Sequence, residues 1–224
     1  MNLLCGCFSI VFALNGSLQT AAYLIFAAAV FDFFDGFAAR ALKVGSPLGV
    51  QLDSLADMTS FGIAPSMMIF KMLSEASDIR YLPYAAFLTA VFSALRLAKF
   101  NIDERQTESF IGLPTPACSL FVAGSAFVDI PPAISQYVLL AVVPILCFLL
   151  VSEIPMFSLK FKSRENPAAF VKKYSLQLIF VSISAVLLAV FRFAGFSAVI
   201  GLYAALSIAA ALRKRILKKP SLPE

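Results

Sequence analysis

Apolar residues run along the chain in long blocks, broken only by short polar, Pro or Gly clusters. The breaks divide it into eight candidate helices at 2–14, 18–41, 48–70, 82–98, 114–128, 134–152, 174–192 and 196–212. A helix needs about 20 residues to cross the hydrocarbon core of a bilayer. The first apolar run, 3–14, is shorter and lacks a basic leader and a small-residue cleavage site, so it does not read as a signal peptide. Either the first helix begins at the N-terminus of this sequence or further residues precede it. The fifth block is also short and leans on the approach Gly112-Leu-Pro-Thr-Pro116. No soluble domain, long linker or short-period repeat interrupts the pattern. It predicts an all-α polytopic membrane helix bundle of about eight transmembrane helices. The whole chain, 1–224, reads as one membrane domain: a six-helix core over 1–152 and two additional C-terminal helices over 174–212.

Composition supports this reading. The chain is 60% hydrophobic and 14% charged, whereas a soluble domain carries roughly a quarter charged residues. With 23 Phe, six Tyr and no Trp, an interfacial aromatic belt falls mainly to Tyr. Cys5 and Cys7, two apart, point to different faces of a helix, and Cys118 and Cys147 sit in apolar runs. Packed free thiols fit these positions better than a disulfide frame or a metal site.

Charge sets the orientation. With the N-terminus cytoplasmic, fifteen basic residues fall inside, from Arg40 and Lys43 through Arg96, Lys99 and Arg105 to the run at 160–173 and the tail at 213–219. Only Lys71, Arg80 and Arg192 fall outside. The positive-inside rule then places both termini in the cytoplasm. The basic run and tail read as contacts to anionic membrane lipids, with no nucleic-acid partner.

Four aspartates depart from the apolar pattern. In FDFFDGFAARALKVGSPLGVQLDSLADMTSFGIAP, residues 31–65, they occupy positions 32, 35, 53 and 57. A carboxylate deep in a bilayer costs roughly 2.5–3.5 kcal/mol on insertion scales. A charged surface loop does not explain them, because Asp32 lies within AAAVFDFF and Asp53 and Asp57 continue a helical pattern. Asp32, Asp35 and Gly36 share one helix face; Gly49, Asp53 and Asp57, spaced by four, form another stripe. Two helices joined by a short turn can bring both stripes to one cavity near the cytoplasmic surface. Converging carboxylates repel unless cations lie between them, and all-oxygen ligation suits Mg2+ or Mn2+. Gly36, Ala38, Ala39 and Gly49 leave room for a ligand, and Arg40 can fork onto phosphate oxygens. His is absent, so proton transfer falls to a carboxylate, Lys, Tyr or water.

The full pattern, Asp32-x2-Asp35-Gly36-x2-Ala39-Arg40-x8-Gly49-x3-Asp53-x3-Asp57, resembles the signature of the CDP-alcohol phosphotransferase family. The resemblance implies an integral membrane enzyme, and a homodimer, that displaces CMP from a CDP-alcohol with a second alcohol. It implies two divalent cations, Mg2+ or Mn2+, held by Asp32, Asp35, Asp53 and Asp57, with Asp57 also the catalytic base. Gly36, Ala39, Arg40 and Gly49 would accommodate the CDP group. DSLADMTSFGIAPS, LRLAKFNID and FIGLPTPA resemble the phosphatidylserine synthase branch, CDP-diacylglycerol–serine O-phosphatidyltransferases. That branch implies CDP-diacylglycerol and L-serine as substrates, in phospholipid biosynthesis at a bacterial or archaeal inner membrane. Within LRLAKFN, Arg96 and Asn101 are candidates to hold the serine carboxylate or the lipid phosphate, whereas Lys99 reads as a membrane anchor.

Other readings compete. The phosphatidylglycerophosphate and phosphatidylinositol-phosphate branches share the signature with a different acceptor. A cation transporter would explain intramembrane acids but not the Gly/Ala/Arg register. A prenyltransferase binds Mg2+-diphosphate through aspartates without that register. Release of CMP from CDP-diacylglycerol separates these classes.

Overall fold

The helices form where the apolar blocks place them. The computed structural model of the chain describes residues 1–42, 46–103, 111–156 and 174–217. Among the described residues there are nine α-helices: α1 Asn2–Leu14, α2 Leu18–Leu42, α3 Pro47–Asp57, α4 Ala64–Ala76, α5 Phe87–Ile102, α6 Thr115–Ser125, α7 Pro132–Val151, α8 Ser175–Phe191 and α9 Gly195–Leu217. The block expected at 48–70 is a continuous helical run in which a π-helical turn, Met58–Ile63, joins α3 to α4. A 3-10 turn, Leu82–Ala86, opens α5. Lys43, Arg105, Lys218, Lys219 and the whole basic run at 160–173 lie outside the described residues.

Four helical stretches among the described residues are long and apolar enough to cross a membrane: Leu18–Leu42, Leu82–Ile102, Ala133–Val151 and Gln177–Arg213. The chain is an integral membrane protein. At 13 and 11 residues, α1 and α6 are shorter than those stretches. The last stretch contains both α8 and α9 and reverses at Arg192, whose φ is 51°. At the reversal Gly195 meets α8 so closely that a Cβ would stand 2.7 Å from the Leu187 carbonyl oxygen.

Several helices are apolar outside and small or polar inside. The buried face of α1 consists of Asn2, Gly6, Ser9 and Ala13, while Leu3, Leu4, Phe8 and Val11 are exposed. On α5, Thr89, Ser93 and Arg96 are buried and Leu88, Val91 and Leu95 face out. Lipid tails are as apolar as Leu, so burying Leu gains little between membrane helices; close backbone approach and hydrogen bonds gain more. The hydroxyls supply those bonds. Ser9 Oγ donates to the Ala21 carbonyl of α2 at 2.9 Å, Ser66 and Thr89 share a 2.6 Å hydrogen bond between α4 and α5, and Ser197 Oγ donates to the Phe121 carbonyl at 2.6 Å.

The π turn and α4 stand at the centre, with Phe61, Met68 and Leu73 fully buried. Around them, α1 packs against α2, α4 and the π turn, α5 against the π turn and α7, and α6 against α2, α4 and α9. The short α6 is anchored by the segment before it. Gly112, at φ 76°, donates its N–H to the Ile154 carbonyl at 2.9 Å, and Leu113 N–H bonds the Leu149 carbonyl at 2.8 Å. Leu149 is one of the last carbonyls of α7, which the helix itself cannot satisfy, and Ile154 lies just past its end. Only glycine fits position 112, because a Cβ would lie 2.8 Å from the Ser152 carbonyl.

Burial is uneven along α2. Ala21, Ala22, Ile25 and Ala28 are buried, but from Phe33 onward the helix projects, with Phe33, Phe34 and Phe37 exposed. None of α3 is buried. The end of α2, α3 and the start of α1 therefore frame an open cleft.

Close approach makes one position testable. At Gly6 a Cβ would collide with Ser60 Oγ and lie 2.8 Å from Ser60 Cα, whereas at Gly201 it would meet nothing within 4 Å. Gly6→Ala is expected to lower stability by about 1–3 kcal/mol, the usual cost of overpacking, and Gly201→Ala to leave it unchanged or higher. Thermal unfolding of the detergent-purified variants checks both.

Candidate active site

Two local signals start α3 where the cleft needs it. Ser46 is its N-cap, and its Oγ accepts the Gly49 N–H at 3.0 Å. Pro47 follows at the first helical position, where a missing N–H costs nothing and φ is already helical. From there the four-residue spacing carries Gly49, Asp53 and Asp57 along one side of α3. On α2, the projecting turn presents Asp32, Asp35 and Gly36.

The two stripes meet. Carboxylate oxygens of Asp32, Asp35 and Asp53 lie within 4.8 Å of one another. Among the described residues no Lys or Arg forms an ion pair with these three. At an effective dielectric constant near 20, each pair of such charges repels by on the order of 3 kcal/mol. An all-oxygen donor set with uncompensated negative charge fits a hard divalent cation, which binds through a few carboxylates and keeps other positions for water and phosphate.

A cavity of about 460 Å³ adjoins the cluster and is lined by Asn2, Asp35, Gly36, Ala39, Gly49 and Asp53, among others. Three of the four residues expected to accommodate the CDP group, Gly36, Ala39 and Gly49, thus share the cavity wall with two cluster carboxylates, Asp35 and Asp53. Arg40 folds back along α2, with a guanidinium nitrogen 3.4 Å from where a Cβ on Gly36 would stand. The arginine thus lies along the face of α2 that carries Gly36, at ordinary contact distance.

Asp57 lies outside the group of three that sit within 4.8 Å of one another, but its carboxyl is in hydrogen-bond contact with that of Asp32. It ends α3 at the π turn, half-buried. Asn2 Nδ2 donates to its Oδ1 at 3.1 Å and to Asp32 Oδ1 at 3.4 Å. Asn101 Nδ2 donates to Ser54 Oγ at 3.0 Å, which ties the end of α5 to α3 next to Asp53. Arg96 is buried on the inner face of α5, its guanidinium 5.3 Å from the Phe100 ring centroid. Lys99 pairs with Glu153 at 3.4 Å, beyond the end of α7. Cys5, Cys7, Cys118 and Cys147 are free thiols.

Asn2 is absent from the motif-based site residues, yet it contacts two of the four aspartates. The available signal was the stripe Asn2, Gly6, Ser9, Ala13, a small and polar face on an otherwise apolar helix. Such a face marks the buried side of a membrane helix, and a carboxamide at its end needs a polar partner.

A family model for CDP-alcohol phosphatidyltransferases matches residues 1–148. The chain belongs to this family of membrane phosphotransferases. Among similar proteins is a CDP-diacylglycerol–serine O-phosphatidyltransferase of Bacillus subtilis, 35% identical over 170 residues, covering 74% of this chain and 90% of that protein. The Helicobacter pylori protein of the same name is 34% identical over 126 residues, 55% of this chain and 53% of that protein. An archaetidylserine synthase of Methanothermobacter thermautotrophicus is 35% identical over 128 residues, again 55% of this chain and 53% of the other. The chain thus spans about half the length of these last two. The family match ends within α7, so α8 and α9 lie beyond it.

Mn2+ binding, followed by the loss of the free-ion electron paramagnetic signal, reads the cluster directly. Asp35→Asn and Asp53→Asn are each expected to weaken it by at least the roughly 10–100-fold that follows loss of an outer-shell partner. Glu75→Gln, at the Lys71 ion pair, should leave it unchanged.

Proposed function

We propose that this protein transfers the phosphatidyl group of CDP-diacylglycerol to L-serine, giving phosphatidylserine and CMP. The observation that carries the proposal is the carboxylate cluster opening onto a cavity walled by Gly36, Ala39 and Gly49. The names of the relatives supply the acceptor, and the Bacillus subtilis protein supports it over most of its length.

In this reading the diphosphate of the CDP group enters the cavity. Gly36, Ala39 and Gly49 let it approach the backbone, and Arg40 contacts its oxygens. Asp32, Asp35, Asp53 and Asp57 would hold two divalent cations, Mg2+ or Mn2+, which would neutralise the diphosphate and stabilise charge on departing CMP. The serine hydroxyl oxygen forms a bond to the phosphorus that carries diacylglycerol, and the bond from that phosphorus to CMP breaks. Asp57 takes the hydroxyl proton. Arg96 and Asn101 hold the serine carboxylate or the lipid phosphate.

The architecture that serves this chemistry is a single membrane domain of eight spans, with a catalytic six-helix core over 1–152 and two further helices over 174–212. It sits in a bacterial or archaeal inner membrane as a homodimer, with both termini and the cleft on the cytoplasmic side. Serine and the cytidine group then arrive from water, and the acyl chains enter sideways from lipid.

Purified enzyme with CDP-diacylglycerol and a panel of alcohols, followed by CMP release, tests the reaction. Serine should be the fastest acceptor and EDTA should abolish release. Faster release with glycerol 3-phosphate or inositol phosphate would move the chain to another branch, and no release with any acceptor would remove the transferase reading. Asp57→Asn should lower turnover by about 10²–10⁴, the usual worth of a general base, while CDP-diacylglycerol still binds. Equal loss of binding in Asp57→Asn and Asp53→Asn would make Asp57 a ligand only.

A further inference from the structure

We infer that Asn2 is the positioning residue for Asp57, and that Ser60 holds Asn2 in place. The inference rests on the transfer reaction proposed above and adds a part to it.

Asn2 is 3% exposed and also lines the cavity. Carboxylates only accept hydrogen bonds, so the amide nitrogen must be the atom that faces Asp57 and Asp32. This fixes the orientation of the carboxamide. One –NH2 group bridges the two carboxylates, at 3.1 Å to Asp57 and 3.4 Å to Asp32. The shorter bond engages one oxygen of Asp57 and, together with the contact between Asp57 and Asp32, restrains the direction in which its carboxylate faces.

Asn2 is itself gripped from the same stretch of chain. Ser60 Oγ, fully buried, donates to the Asn2 main-chain carbonyl at 3.0 Å. Asp57 and Ser60 are three residues apart across the start of the π turn. Residues 57–60 therefore hold Asn2 at both ends, by side chain at Asp57 and by main chain at Ser60. Gly6, one turn further along α1, is what lets Ser60 come so close. The π turn also fits this account: such turns re-aim the side chains that flank them within a continuous helix, and they occur often at functional sites.

A base that is misaimed loses rate out of proportion to any change in ligand affinity. A displacement of about 1 Å can cost about 10²-fold in rate. Asn2→Leu keeps the size of the side chain and removes its donor, so a role in packing alone would survive it. Ser60→Ala leaves the Asn2 amide in place but frees its backbone.

The test uses the full chain in detergent or nanodiscs, with kcat and KM for CDP-diacylglycerol and Mn2+ affinity measured for wild type and both variants. Asn2→Leu is expected to lower kcat by about 10²-fold with KM unchanged and Mn2+ affinity lowered by about 10-fold at most, the low end of losing an outer-shell partner. Ser60→Ala should give the same pattern to a smaller degree. Wild-type kcat in Asn2→Leu overturns the inference. A raised KM at constant kcat overturns it too, by making Asn2 a ligand contact. So does a loss of Mn2+ affinity in step with rate, which would place its action on the metal cluster. If Asn2→Leu does not fold, Ser60→Ala decides alone, and wild-type kcat there overturns the inference. Absence of CMP release from the wild type would instead mean that the transfer reaction itself is wrong.

Discussion

Three carboxylates held within 4.8 Å of one another, with no basic side chain paired to them among the described residues, are the arrangement that the surrounding structure must sustain. Repulsion would spread them if their helices were free. The end of α2 and the whole of α3 are poorly buried, so local packing does not hold them. The restraint comes from further back. The first half of α2 is locked against α1 through alanines and the Ser9 hydroxyl. At its other end, α3 continues without a break through the π turn into the buried α4. The aspartates thus stand on two arms, each rooted in the core. A divalent cation would turn the remaining repulsion into attraction, so the site is arranged to be completed by what it binds.

Rooting those arms depends on close helix approach, and lipid surroundings decide how that is achieved. A soluble bundle would bury Leu and Phe and expose polar residues. Here α1 and α5 do the reverse, and hydroxyls and glycines make the contacts. Gly6 against Ser60 and Gly62 against Met58 and Ser93 bring the π turn within reach of both neighbours. The same small residues therefore serve stability and site geometry together. Asn101 bonding to Ser54 and Lys99 pairing with Glu153 extend the ties from α5 to α3 and to the segment after α7.

At the other end of the molecule, aromatic rings join the C-terminal helix pair to the core. Tyr23 and Phe26 of α2 meet Phe127, Phe193 and Phe196, with ring centroids 4.6–5.4 Å apart. The family match covers residues 1–148 only. This aromatic contact therefore joins a segment beyond the match to the helix that bears Asp32 and Asp35.

Much of this was legible in the sequence because it depends on local periodicity. Helix positions follow from apolar run length, and the 3- and 4-residue spacings already put Asp32 with Asp35 and Gly49 with Asp53 and Asp57 on shared faces. The start of α3 follows from Ser46 and Pro47. Spacing along one helix cannot say how two helices face each other, and that is where tertiary structure decided the outcome. It grouped Asp32, Asp35 and Asp53 and set Asp57 against Asp32 and Asn2. It placed Arg96 on a buried face of α5 and Asn101 against Ser54, a contact that spans 47 residues. The π turn could not be read from the apolar pattern either, because a turn of five-residue spacing inside a helix leaves no mark on hydropathy. Asn2 and Ser60, 58 residues apart, meet only because Gly6 lets two backbones close to contact. The identity of each group is a property of the sequence; their convergence is a property of packing.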